Sequence, residues 1–258
     1  MDHLPAPSDP AQAPPPDTPV PCAVVTTLDR LGLVAPVTRP VWRNSVGGLT
    51  FAITDGDAPA AAQFYVKWNP RTTGESLADE AERLRWIRDR HPAPVVVELI
   101  ADEHEEILVT RALPGSSAVA ERWVADPDTA LRALGEGLRR LHDMPVEGCP
   151  FEWSVARRLE ADGIPADAVG PAPDIDRLVV CQGDPCAPNT LLDDHGSFLA
   201  HVDLARLGIA DRWADLAVMS MSLEWNYPER DERIFWDAYG VEPDVRRIDY
   251  YRRLWDAT

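Results

Sequence analysis

Positive charge is scarce in this chain. Its 258 residues carry 25 lysines and arginines against 43 aspartates and glutamates, a net charge of −18. A field of that sign argues against a nucleic-acid partner or an anionic membrane surface. Long apolar runs are missing too: none approaches the roughly 20 residues that a membrane-spanning helix needs. The opening residues lack the basic and apolar segments of a secretory signal, so a cytoplasmic protein is expected. Cys22, Cys149, Cys181 and Cys186 form no C-x-x-C pair and no zinc-type spacing, which leaves free thiols in a reducing compartment as the expectation. No internal repeat is present. What remains is ordinary for a globular protein: 45% hydrophobic and 26% charged residues, in a length that suits one large or two small domains.

Residues 1–22 hold eight prolines and few bulky apolar residues, a composition that predicts a flexible or polyproline-like tail. Globular sequence begins near Ala23. Short β-type runs follow at 49–53 and 63–68, with hairpin chemistry in Thr54-Asp55-Gly56-Asp57 between them. Leu77, Ala81, Leu84 and Ile87 recur at helical spacing within 75–90, and Pro92 closes that run. Two more β-type runs, 95–100 and 107–110, complete a small mixed lobe. Beyond Pro114-Gly115 the pattern turns helical. Leu131, Leu134, Leu138 and Leu141 form a stripe after the capping residues Asp126 and Asp128. A Gly- and Pro-rich stretch from Gly163 to Pro173 reads as non-helical. Two short apolar runs, 178–181 and 198–202, each lead straight into polar loops. Helical pattern returns over 213–223 and from Glu229 to the end.

Those two polar loops carry the chemistry. The first is Gln182-Gly183-Asp184-Pro185-Cys186-Ala187-Pro188-Asn189; the second is Val202-Asp203-Leu204-Ala205-Arg206. An Asp, an Asn five residues on and a second Asp after a hairpin can converge on one point. Metal-assisted phosphoryl transfer needs that: hard oxygen ligands for Mg²⁺ and a separate carboxylate for the acceptor hydroxyl. Alone, such a fragment equally serves turns and caps. Upstream, Lys67 sits inside an apolar β-run, and the helix after it offers Asp79, Glu80 and Glu82 as partners, Glu80 being favoured. A strand Lys paired to a helix Glu positions an ammonium over nucleotide phosphates in kinase-like lobes. The turn Asn44-Ser45-Val46-Gly47-Gly48-Leu49 offers backbone N–H groups for the same phosphates, or an ordinary hairpin.

From about Ser45 to Trp255 the chain resembles the aminoglycoside O-phosphotransferases, a branch of the protein-kinase-like superfamily. The resemblance rests on Gly183-Asp184-x-Cys186-x-Pro188-Asn189, on Val202-Asp203-x-x-Arg206-x-Gly208-x-Ala210-Asp211-Arg212-x-x-Asp215-Leu216-Ala217, and on Cys149-Pro150-Phe151-Glu152. Gln182, where most members carry His, and the ending Tyr251-x-Arg253-Leu254 make it most similar to the streptomycin 3″-phosphotransferases. The resemblance implies an α+β, protein-kinase-like, two-lobed fold: a nucleotide-binding lobe over 23–111 and a mostly helical lobe over 112–258. It further implies Asp184 as the catalytic carboxylate and Asn189 with Asp203 as Mg²⁺ ligands. Lys67, Glu80 and Ser45 would handle phosphates, and Thr110 to Ala112 would be the hinge whose backbone bonds adenine. Asp215 would buttress the catalytic loop.

Gln182 hydrogen-bonds but cannot ionise, so a difference in scaffolding is expected there. The insertion after Phe151, which in relatives supplies the acids that grip the drug, is short and rich in Pro and Gly here, so Glu224, Trp225 and Asp256 are added as acceptor-side candidates. The implied activity is transfer of the γ-phosphate of ATP or GTP to a hydroxyl of a small cationic acceptor, streptomycin first. Alternatives are another aminoglycoside or small alcohol, or an inactive nucleotide-binding module. His142, the two loop cysteines and most of the tryptophans read as structural, while Trp225 and Trp255 are candidates to line a pocket.

Overall fold

The computed structural model describes residues 13–33, 35–56 and 62–258. Most of the proline-rich stretch, residues 1–12, lies outside that range, as does Asp57 of the expected hairpin turn. The structure is α+β, and its contacts divide it into two compact units. One runs to Arg85 and resumes over Pro94–Pro114; the other joins Trp86–Ala93 to Gly115–Thr258. The Pro114-Gly115 step, where the sequence pattern turns helical, separates the two units on the chain after Pro94.

The first unit opens with helix α1 (Cys22–Arg30), which begins directly after Pro21. Strands β1 (Pro36–Arg43), β2 (Leu49–Asp55) and β3 (Phe64–Pro70) precede helix α2 (Leu77–Ile87), and β4 (Val96–Ala101) and β5 (Glu105–Arg111) follow it. The strands form one antiparallel sheet in the order β1-β2-β3-β5-β4. Strand alternation sorts its side chains onto two faces. Phe51, Ile53, Val66, Ile107 and Val109 face Val24 and Leu28 of α1 in one buried cluster. Lys67, one residue from Val66, points to the other face, where α2 lies. It sits on the central strand, between Thr50 and Leu108.

The second unit contains β6 (Ser116–Ser117), α3 (Glu121–Val124), α4 (Pro127–His142), α5 (Val155–Ala161), β7 (Leu178–Cys181), β8 (Thr190–Leu192), β9 (Phe198–His201), β10 (Gly208–Asp211), α6 (Trp213–Asn226), α7 (Arg233–Tyr239) and α8 (Val245–Ala257). Asp126 caps α4 by accepting from the Thr129 N–H, and the leucine stripe of that helix is fully buried. Gly135 is where α4 meets α7, since a methyl there would strike the Phe235 carbonyl. The helical pattern from Glu229 onward is not one helix. Gly240, at φ 86°, ends α7 in the left-handed cap, and Pro243 separates it from α8. Helix α6 is buried from Trp213 through Leu223. Its first turn holds the loop that follows β7, through Asp215.

Candidate active site

Strand β7 delivers the chain to Gln182, which is fully buried. Its Nε2 donates to the carbonyls of Val202 (3.0 Å) and Asp203 (3.2 Å), and its Oε1 accepts from the Asp184 N–H at 2.6 Å. One uncharged side chain thus ties both polar loops together. A second tie is Asn189, whose Nδ2 donates to the Asp184 carbonyl at 2.9 Å while its own carbonyl accepts from Val202 N–H. From below, the buried Asp215 accepts from the N–H groups of Gln182 (2.6 Å) and Gly183 (3.1 Å). His142 Nε2 lies 3.0 Å from Asp215, and its Nδ1 lies 2.9 Å from the Tyr239 hydroxyl, so this histidine is structural. Gly183, at φ 88°, passes so close to the Arg206 carbonyl that no side chain fits.

The braced loops hold a strained point and an unsatisfied one. Asp203 adopts φ 59°, the one positive φ among the described non-glycine residues, a conformation that costs about 1–2 kcal/mol. Asp184 is half-buried, yet its Oδ1 is fully shielded and has no hydrogen-bond partner. Burial pushes the Asp184 carboxyl up from the usual carboxylate range, and the charge of Asp203 adds to this; Cys186 and Arg206 pull the other way. Two carboxylates in mutual repulsion, one with an orphaned oxygen, suit a divalent cation. Asn189 fits as its partner, because the amide nitrogen is already engaged and Oδ1 is the hard oxygen left over.

In the first unit, Lys67 Nζ lies 2.8 Å from both carboxylate oxygens of Glu80. Of the three acids offered by α2, Glu80 is the one the fold selects and buries. Lys67 is also the single lysine of the chain; every other cationic side chain is arginine or histidine. Ser45 is exposed in the β1–β2 turn, whose shape is fixed by Asn44: its Oδ1 accepts from Gly48 N–H and its Nδ2 donates to Glu75 at 2.7 Å. Thr110 and Ala112 lie at the end of β5. Their segment is committed to the sheet, since Arg111 N–H donates to Val95 and Ala112 N–H to Gln63, both at 2.9 Å. An adenine edge taking the Ala112 N–H must displace the Gln63 carbonyl.

The acceptor-side candidates are less convergent. Glu224 is paired with Arg252 at 2.7 Å, Trp225 is 61% exposed, and Asp256 is exposed without an ion pair among the described residues. The sequence offers Trp255 as a pocket residue and Arg206 as a motif position, but not the group they form. The Arg206 guanidinium lies over the rings of Trp153 (5.8 Å) and Trp255 (5.2 Å), and Arg158 lies over the same rings at 4.9 and 5.8 Å. These residues are scattered through the sequence, so no spacing announces them.

The sequence profile of the phosphotransferase enzyme family matches residues 43–251. The chain belongs to this family. As a member of it, the protein is 35% identical over 245 residues to the aminoglycoside 3′-phosphotransferase of Streptomyces fradiae, covering 81% of this chain and 90% of that one. It is 33% identical over 252 residues to the streptomycin 3″-kinase of Streptomyces griseus, covering 81% and 92%. Among solved structures, aminoglycoside phosphotransferase APH(3″)-Id from Streptomyces rimosus matches with a TM-score of 0.68 at 26% identity, over 90% of this chain and 96% of that one. That enzyme has also been solved with ADP and streptomycin. An aminoglycoside-3′-phosphotransferase of type VIII matches with a TM-score of 0.73 at 27% identity, over 90% and 97%. Among the described residues of this phosphotransferase, no helix is long and apolar enough to cross a membrane.

Proposed function

We propose that this enzyme transfers the γ-phosphate of ATP or GTP to a hydroxyl of an aminoglycoside, and that the acceptor is streptomycin at its 3″-hydroxyl. The observation that carries this reading is the braced pair of loops, with the orphaned Asp184 oxygen beside Asp203 and Asn189. Asn189 and Asp203 would hold Mg²⁺, which supplies neutralisation of phosphate charge when bound. Asp184 would accept a hydrogen bond from the acceptor hydroxyl and orient it for in-line attack. Lys67, held by Glu80, would align the nucleotide phosphates, with the turn at Ser45 covering them and the end of β5 near Thr110 and Ala112 meeting the base. Residues 23–111 would serve as the nucleotide lobe and 112–258 as the helical lobe of a protein-kinase-like fold. Glu224, Trp225 and Asp256 would face the cationic acceptor, and the net charge of −18 would draw such a cation in.

The Streptomyces fradiae relative, at 35% identity, supports a second reading in which a 3′-hydroxyl of another aminoglycoside is the acceptor. Nucleoside diphosphate release, measured with MgATP and MgGTP against streptomycin and a panel of 3′-hydroxylated aminoglycosides, separates the two. Streptomycin turnover well above the panel supports the first reading. Turnover of the panel without streptomycin replaces it with the second, and silence across all acceptors sinks both.

A further inference from the structure

The start of α2 is held by a residue that the nucleotide reading does not use. Glu106, on β5, is 1% exposed. Its Oε2 accepts from the backbone N–H groups of Leu77 at 2.5 Å and Ala78 at 3.4 Å. These belong to the first turn of the helix, whose N–H groups have no partner inside it. Such groups are usually capped by the residue that opens the helix. Here the Ser76 hydroxyl takes the Asp79 N–H at 3.2 Å and its carbonyl the Glu80 N–H at 3.4 Å, while a strand 28 to 29 residues further along the chain supplies the acceptor for Leu77 and Ala78. The second oxygen of Glu106 lies 2.6 Å from Arg71 Nη1, an ion pair that offsets its charge although the angle is poor for a hydrogen bond. A buried carboxylate is costly unless it is paired and bonded. The hydrogen bonds that Glu106 accepts fix where α2 begins.

The sheet register shows what that placement achieves. Strands β3 and β5 pair Lys67 with Leu108 and Asn69 with Glu106. Alternation therefore puts Lys67 and Glu106 on the same face, under α2. The helix is tied to this strand pair twice: its first turn to Glu106, and Glu80, three residues after Leu77, to Lys67. A slip of one residue would move Glu80 by about 1.5 Å along the axis and about 100° around it. A contact at 2.8 Å does not survive that displacement. We propose that Glu106 is a positioning residue. It sets the register of α2 so that Glu80 meets the only lysine of the chain, and it acts through Glu80 without touching substrate. The inference rests on Lys67 being the phosphate-binding lysine.

Because Lys67 is the single lysine, the rate at which an amine-acylating reagent labels its peptide, read by mass spectrometry without nucleotide, reports the Glu80 contact directly. Glu106→Ala should speed labelling several-fold and raise the KM for MgATP about tenfold, the size expected for loss of a charge-assisted hydrogen bond. Glu106→Gln should recover most of both, since its amide oxygen still reaches the two N–H groups and the half-exposed Arg71 can turn away from its amide nitrogen. Glu106→Asp should not, because it keeps the charge but falls one methylene short. Val109→Ala thins the opposite face of the same strand; at a matched loss of melting temperature it should label at the wild-type rate. Wild-type labelling in Glu106→Ala, rescue by Asp but not Gln, or equal acceleration in Val109→Ala would overturn the proposal. If Glu106→Ala does not fold, the Gln and Asp pair decides alone. Failure of MgATP to protect Lys67 in the wild type would instead remove the nucleotide role of Lys67 and leave the labelling ratios intact as a test of register.

Discussion

Asp184 carries an oxygen that no donor in its surroundings satisfies, in a carboxyl that burial and Asp203 both push toward the neutral form. A fold optimised for stability alone would not keep that group. The raised position means the native state takes up a proton before the unfolded chain does as pH falls, so this group lowers stability at neutral pH and gives it back on acidification. Asp184→Asn should therefore raise the metal-free melting temperature by about 2–4 °C, the shift expected for about 1 kcal/mol in a chain of this size, while lowering transfer by about a hundredfold or more. Differential scanning calorimetry beside an activity assay checks both halves. For Lys67, substitution by Arg should fail to restore function, because a planar fork cannot replace a compact ammonium between the two Glu80 oxygens. An increase of about tenfold or more in the KM for MgATP is expected; wild-type kinetics in Lys67→Arg would remove the lysine from the phosphate site.

The two polar loops act as one element because Gln182 binds backbone groups on both. Gln182→Leu leaves two partly buried carbonyls and one N–H without that partner, at up to about 1–3 kcal/mol for a shielded group left unmade. Lower thermal stability, together with a raised Mg²⁺ requirement in steady-state kinetics, is expected; stability loss without a change in Mg²⁺ dependence would show that the brace does not serve the metal ligands. These loops were legible in the sequence for a physical reason. A short apolar run ending in Gly, Asp, Pro and Asn suits a buried strand turning into a polar loop, as β7 and the chain after it behave, although the family resemblance was needed to separate it from an ordinary turn. The helix α1 was not legible. Its nine residues include Val24, Val25, Thr26 and Thr27, whose branched side chains disfavour helix, and only tertiary burial of Val24 and Leu28 secures it. The Trp153–Arg206–Trp255–Arg158 stack and the Glu106 cap escaped for another reason: their partners come from separate parts of the sequence, where spacing carries no information.

Across the second unit, acid lability should come from a buried histidine pair. His91 Nε2 lies 3.0 Å from His201 Nδ1, with the rings stacked at 5.1 Å. Burial, reinforced by the charge of Arg140, pushes His91 down to about 3, and burial also drives His201 well below its ordinary value. The unfolded chain binds the His91 proton near pH 6.5, so stability should fall as pH drops from there toward about 3, by up to about 1.4 kcal/mol per pH unit, with His201 acting in the same direction. Melting curves of His91→Gln should show a shallower decline over that window than the wild type; parallel curves would exclude His91 as a cause.

The measurement that bears most directly on the functional reading is the rate of phosphoryl transfer by Asp184→Ala, taken at saturating MgATP with the best acceptor and accompanied by a nucleotide-binding titration. Loss of a positioned carboxylate should lower kcat by about 10²- to 10⁴-fold while nucleotide affinity stays within a few-fold. Transfer within a few-fold of the wild type would contradict the assignment of Asp184, and with it the mechanism built on the braced loops.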